Sequence, residues 1–233
     1  MSPLLGILGG MGPAASAEFY TRLVAATPAT RDQDHLRVAM WADPTVPDRI
    51  EALATGGPEV AEALDRGVSA LTSIGATHLV CPCNTAHVWL REVVARHEIE
   101  LIDIVDEAAA AVRAAGWGRV ALLATSGTLD AGLYQRACER EGVLALAPVE
   151  QDQRRVAAAI YDVKRGDPAR LSAAGATLRE VVVGLAQEQG AQVVLGACTE
   201  IPLALREVEL PIPVLDSLDT LAAAAVERVR GAR

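Results

Sequence analysis

Short apolar runs alternate with longer stretches whose apolar residues recur at helical spacing. Residues 4–8 form an apolar run that stops at Gly9-Gly10-Met11-Gly12-Pro13, and a helical stretch follows over about 14–26. Residues 36–41 read as a second strand, and 59–74 as a helix ended by Gly75. Residues 78–82 read as a strand leading into a helix through Trp89 and Val94. A strand is predicted over 99–104 and a helix over 106–115. The second half repeats the pattern: strand 120–123, helix 130–140, strand 143–147, helices near 153–163 and 169–189, strands 193–195 and 214–215, and a last helix over 218–229. Apolar strands separated by helices predict parallel sheets covered by helices.

The two halves lie on each other. A shift of 115 residues sets Leu5-Gly6-Ile7-Leu8 on Val120-Ala121-Leu122-Leu123, Gly12 on Gly127, Arg49 on Lys164 and Cys83 on Cys198. A shift of 113 sets Asp103 and Asp106 on Asp216 and Asp219, each before an Ala-rich helix. The expectation is a duplicated protein of two similar Rossmann-like α/β domains, each with a parallel four-stranded sheet. They would be related by a pseudo-twofold, with the active site in the cleft between them, because ligands of open α/β sheets bind at the C-terminal strand ends. The expected division is 1–103 plus 214–233 for the domain carrying Cys83, and 104–213 for the domain carrying Cys198.

Composition narrows the functional classes. At 233 residues and 51% hydrophobic the chain can bury one or two real cores. A net charge of -9 argues against nucleic-acid or anionic-membrane partners, since it offers phosphates no basic face. No apolar run is long enough to span a bilayer. The start Met1-Ser2-Pro3-Leu4-Leu5-Gly6 lacks a charged region followed by an apolar core. A cytoplasmic protein is expected. Of 21 basic residues only Lys164 is a lysine, which makes it a candidate for a place where a compact, flexible ammonium serves better than a planar fork; the other reading is a lysine left by chance on a solvated face. The four cysteines, Cys81, Cys83, Cys138 and Cys198, lack the spacing of a structural zinc site, and in the cytoplasm they are not expected to form disulfides. Neither a metal nor a dinucleotide is expected, because the histidines share no ligand spacing and the glycine run is not G-x-G-x-x-G.

Cys83-Asn84-Thr85 and Cys198-Thr199-Glu200 each follow a β run and precede a helix. The positive end of a helix lowers a nearby thiol's pKa, and neighbouring N–H and hydroxyl groups can hold a carboxylate. Two cysteines in matched settings suit reversible proton transfer at one carbon, with a thiolate base on one face and a thiol acid on the other. Cys138 reads as core, and Cys81 as core or as a redox partner of Cys83. The glycine loop with Met11 and Gly12 would let the backbone approach a substrate, with Ala124-Thr125-Ser126-Gly127-Thr128 as its counterpart. His87, four residues after Cys83, could tune its pKa, cap its helix or lie on the surface. Asp103 and Asp216 read as helix caps.

Five segments together resemble the aspartate/glutamate racemase family on its aspartate-racemase branch. They are Gly6-Ile7-Leu8-Gly9-Gly10-Met11-Gly12-Pro13, Asp32-Gln33-Asp34-His35, Val46-Pro47-Asp48-Arg49, Pro82-Cys83-Asn84-Thr85-Ala86-His87 and Leu195-Gly196-Ala197-Cys198-Thr199-Glu200-Ile201-Pro202-Leu203. The resemblance runs from Leu5 to about Leu221. It implies a cofactor-independent amino-acid racemase of two α/β domains, usually a homodimer, with Cys83 and Cys198 as the catalytic pair. It also implies that Arg49 and Lys164 contact the side-chain carboxylate of an acidic substrate. Glu200 stands where the glutamate racemases of cell-wall synthesis have His, which weakens that reading. The α-carboxylate would rest on Asn84, Thr85 and Thr199. Glu200 would open its helix, polarise Cys198 or contact the amino group. The expected reaction interconverts L- and D-aspartate, with glutamate second. A broad-specificity amino-acid racemase is the alternative. A non-catalytic amino-acid-binding protein or a cysteine hydrolase would leave the second thiol without a task.

Overall fold

Every residue of Leu4–Gly9 is buried, as a central parallel strand must be when helices cover both faces of its sheet. This strand, β1, opens the computed structural model, which describes residues 3–231. Met1 and Ser2, where no leader is expected, and residues 232–233 lie outside the described residues. After β1 come α1 (Pro13–Ala26), β2 (Arg37–Ala42), α2 (Arg49–Thr55), α3 (Glu59–Ser73), β3 (His78–Val80), α4 (His87–Val94), β4 (Glu100–Leu101) and α5 (Ile104–Ala114). The second series is β5 (Arg119–Ala124), α6 (Ser126–Asp130), α7 (Leu133–Arg140), β6 (Leu144–Leu146), α8 (Glu150–Lys164), α9 (Pro168–Gln189), β7 (Val193–Ala197), α10 (Glu200–Leu205), β8 (Val214–Asp216) and α11 (Ser217–Gly231).

The strands form two four-stranded sheets of the same order, β2-β1-β3-β4 and β6-β5-β7-β8, parallel throughout. The internal shift is visible in the register. Gly6 pairs with Leu79, and 115 residues further on Ala121 pairs with Val194. The fold is therefore α/β with two parallel four-stranded sheets.

The chain divides into two compact units: one runs through Glu107 and takes the chain back from Leu218, and the other is Ala108–Ser217. The crossings lie within α5 and at the start of α11, rather than at the strand ends near 103 and 213. In the first unit the core gathers Leu8, Leu64, Val68, Leu79 and Leu90. α11 is tied to that unit by Arg22–Asp219 at 2.9 Å, and by Arg228 to Glu100 at 3.1 Å and Glu107 at 2.5 Å. In the second unit the core gathers Leu123, Ile160, Leu178, Val182 and Val194.

Three local features differ from expectation. The helix predicted over 130–140 is two helices, α6 and α7, because Gly132 takes a left-handed conformation at φ +62° and breaks the ladder. The strand predicted over 99–104 keeps only Glu100 and Leu101. There the Asp103 carboxylate accepts from the N–H groups of Val105 at 2.8 Å and Asp106 at 3.3 Å, and so starts α5 early. The short helix α2 was not predicted. Asp48 caps it, accepting from Ile50 and Glu51 N–H at 2.8 and 3.0 Å, and Gly56 ends it. Among the described residues no helix is long and apolar enough to cross a membrane.

Candidate active site

In the first unit the chain leaves β3 at Val80 and turns at once: the Cys83 N–H donates to the Cys81 carbonyl at 2.8 Å across Pro82. Cys83, Asn84 and Thr85 are all buried, at 9%, 4% and 7% exposure. The turn is fixed from α4, where His87 Nδ1 lies 3.0 Å from the Cys83 carbonyl. Met11 and Val46 belong to the same buried apolar cluster as Cys83. Cys81 is wholly buried, and burial pushes its thiol well above the ordinary range, which fits a core residue.

The glycines of the first loop have structural tasks that the sequence did not separate. A Cβ on Gly9 would sit 2.6 Å from Ser16 Oγ, and one on Gly10, at φ +94°, 2.4 Å from the Asp43 backbone. Ser16 Oγ accepts from Gly10 N–H at 2.9 Å and donates to Gly12 O at 3.1 Å, lashing the loop to α1. Only Gly12, the residue before α1, leaves open space beside it. The reading that the glycines serve approach to a ligand thus narrows to Gly12.

Arg49 opens α2, and its guanidinium turns back to donate to the carbonyls of Val46 at 3.2 Å and Pro47 at 3.0 Å. Lys164, its partner under the internal shift, instead closes α8. The pair matches under the shift but not in local structure, because β6 comes earlier in its half than β2 does: shifted by 115, β2 (Arg37–Ala42) would fall inside α8 (Glu150–Lys164). A cation at a helix C-terminus is favoured by the helix dipole, and Lys164 gains that.

In the second unit Ala124 pairs with Ala197, so Thr125 and Cys198 leave the sheet from neighbouring strands. Thr125 is buried and caps α6, accepting from Thr128 N–H at 3.2 Å. Gln153, which the sequence did not single out, supports this loop by donating to Ala124 O at 3.0 Å. Cys198, 7% exposed, points its thiol at Glu200: Sγ lies 2.9 Å from Oε2, which also accepts from Thr199 Oγ1 at 2.9 Å. Burial first, then the charge and hydrogen bond of Glu200, hold the Cys198 thiol well above the ordinary range, while Lys164 pulls the other way. The expected lowering by the helix start does not occur here. The six residues of α10 carry little dipole, and burial beside a carboxylate outweighs it. Cys138, buried on α7, is pushed by burial to about 11 and reads as core.

Of the eleven predicted residues, six lie in the first unit, Met11, Gly12, Arg49, Cys83, Asn84 and Thr85, and five in the second, Thr125, Lys164, Cys198, Thr199 and Glu200. The model of the family described as Asp/Glu/Hydantoin racemase matches residues 8–225. An aspartate racemase from Picrophilus torridus superposes with a TM-score of 0.85 at 34% identity, covering 99% of this chain and 95% of that one. An aspartate racemase homologue from Pyrococcus horikoshii has the same fold, with a TM-score of 0.81 at 20% identity over 99% of this chain and all of that one. The broad-specificity amino-acid racemase RacX of Bacillus subtilis is 25% identical over 230 residues, 96% of either chain.

Proposed function

The chain belongs to the Asp/Glu/hydantoin racemase family, isomerases of the racemase type, and from that premise we propose that it interconverts L- and D-aspartate by a two-base mechanism. The observation that carries this reading is the placing of Cys83 and Cys198 just beyond β3 and β7, strands that correspond in the two sheets. Cys198 enters as the thiol, since burial and Glu200 keep its proton. Cys83 takes the opposing role of base. One sulfur removes the α-proton of one enantiomer, the other delivers a proton to the opposite face, and the roles reverse on the way back. The requirement is that both thiols reach one α-carbon.

The carbanion formed has an enolate-like carboxylate, and no electron sink is invoked, so fixed donors must stabilise it. Asn84, Thr85 and Thr199 would hold the α-carboxylate, with Met11, Gly12 and Thr125 lining the approach. Arg49 and Lys164 would take the side-chain carboxylate. Glu200 would raise the basicity of Cys198 once that sulfur has lost its proton. The protein would act as a homodimer in the cytoplasm, on a small amino acid.

The test is a panel of L-amino acids in heavy water without added cofactor, read by NMR for loss of the α-proton signal. Exchange of aspartate, with glutamate weaker, is expected; Cys83→Ser and Cys198→Ser should each abolish racemisation, while one of them still exchanges the α-proton of one enantiomer. Wild-type racemisation by both single variants would overturn the two-base reading. A second reading, broad specificity, is favoured by the similarity to the Bacillus relative, and exchange across neutral amino acids would establish it.

A further inference from the structure

His87 is 1% exposed, and its imidazole is the side chain that holds the Cys83 turn. A carbonyl can only accept, so the 3.0 Å contact from Nδ1 to the Cys83 oxygen puts a proton on Nδ1. Nε2 is buried and has no hydrogen-bond partner among the described residues. A bare nitrogen lone pair is tolerable there, whereas a buried, unpaired N–H⁺ is costly. Asp103 lies near enough to feel the ring. Its oxygens, however, are engaged by Arg91 Nε at 2.7 Å and by the N–H groups of Val105 and Asp106, and give Nε2 no bond.

The backbone shows why this matters. The His87 N–H goes to Asn84 O at 3.1 Å, so the Cys83 carbonyl is left to the ring rather than to the helix. In a planar trans peptide the C=O of one residue and the N–H of the next point in opposite directions. By fixing the Cys83 carbonyl, the ring also fixes the Asn84 N–H, aimed away from His87. We infer that His87, neutral and protonated on Nδ1, is a positioning residue that sets the orientation of the Cys83–Asn84 peptide, and with it both the thiol and an amide donor for the substrate carboxylate. The inference rests on the reading of Cys83 as catalytic.

Two experiments decide it. Nitrogen-15 NMR of the histidine side chains in the intact protein should show His87 as the Nδ1–H tautomer at neutral pH. An Nε2–H or doubly protonated ring would overturn the inference without any variant having to fold. Substitution gives the second test, because asparagine places its amide nitrogen where Nδ1 stands and glutamine places it one bond further out. His87→Asn should keep the iodoacetamide alkylation rate of Cys83, located by peptide mass spectrometry, within about twofold. His87→Gln and His87→Phe should change it by about fivefold or more, the factor one hydrogen bond represents. In the same two variants KM for aspartate should rise more than kcat falls. Equal behaviour of the Asn and Gln variants, or no effect of His87→Phe, would sink the positioning role. If Cys83→Ser still racemises, the catalytic reading fails instead, and the alkylation and NMR results still judge His87.

Discussion

At the residue scale the most informative contact is the one between Cys198 and Glu200. A thiol 2.9 Å from a carboxylate keeps its proton, and the nearby Lys164 opposes that effect. The two neighbours therefore move the thiol in opposite directions. Glu200→Gln should bring the pH at which Cys198 becomes reactive toward iodoacetamide down by about one unit, since a hydrogen bond and a charge that favour the protonated form are removed. Lys164→Ala should move the same profile up, because a cation that favours the thiolate is lost. Shifts of the same sign would remove the electrostatic account. Lys164→Ala should also reduce exchange of aspartate far more than exchange of alanine, and an equal loss for both would end its role in binding a side-chain carboxylate. The pattern Cys-Thr-Glu was legible as chemistry in the sequence. The sign of its effect on the thiol was not, because desolvation depends on what packs around the sulfur.

At the element scale the helix caps and glycines decide how loops meet the sheets. Asp103 was legible as a cap, since an acid before an Ala-rich run satisfies the first N–H groups of a helix. The glycine run was legible only as a loop. Its parts differ for reasons of packing: Gly10 takes a positive φ against the Asp43 backbone, while Gly12, at φ -97°, has open space. Gly10→Ala should cost about 2–5 kcal/mol in denaturant unfolding, from left-handed strain and backbone overlap together. Gly12→Ala should cost under about 1 kcal/mol and yet raise KM, if substrate approaches there. A Gly10 variant as stable as the wild type would contradict this account. The missed helix α2 shows the limit of periodicity. Seven residues are too few to display an apolar stripe, and its signal was the single capping Asp48.

At the scale of the whole molecule, α11 completes the first unit from more than a hundred residues away. Leu221, Ala225 and Val229 are fully buried, and Arg22, Glu100 and Glu107 pair with its charged face. Leu221→Ala should lose about 2–5 kcal/mol, measured by unfolding of the intact protein, because a buried leucine leaves a cavity that its neighbours fill only in part. A loss below about 1 kcal/mol would mean that the helix is not part of that core. The C-terminal helix was assigned to the first domain from the sequence, whereas the crossings near Glu107 and Ser217 follow from packing.

The sequence by itself determined the strand and helix alternation, the repeat at 115 residues, and the two cysteines after corresponding strands. All three are written in periodicity and spacing, which local backbone geometry obeys directly. Tertiary structure decided the rest. It tilted Cys198 toward Glu200, turned Arg49 back onto its own loop, left Lys164 at a helix end, and placed the His87 ring under the Cys83 carbonyl. Burial and hydrogen-bond direction in three dimensions set these, and neither is a property of residue order alone.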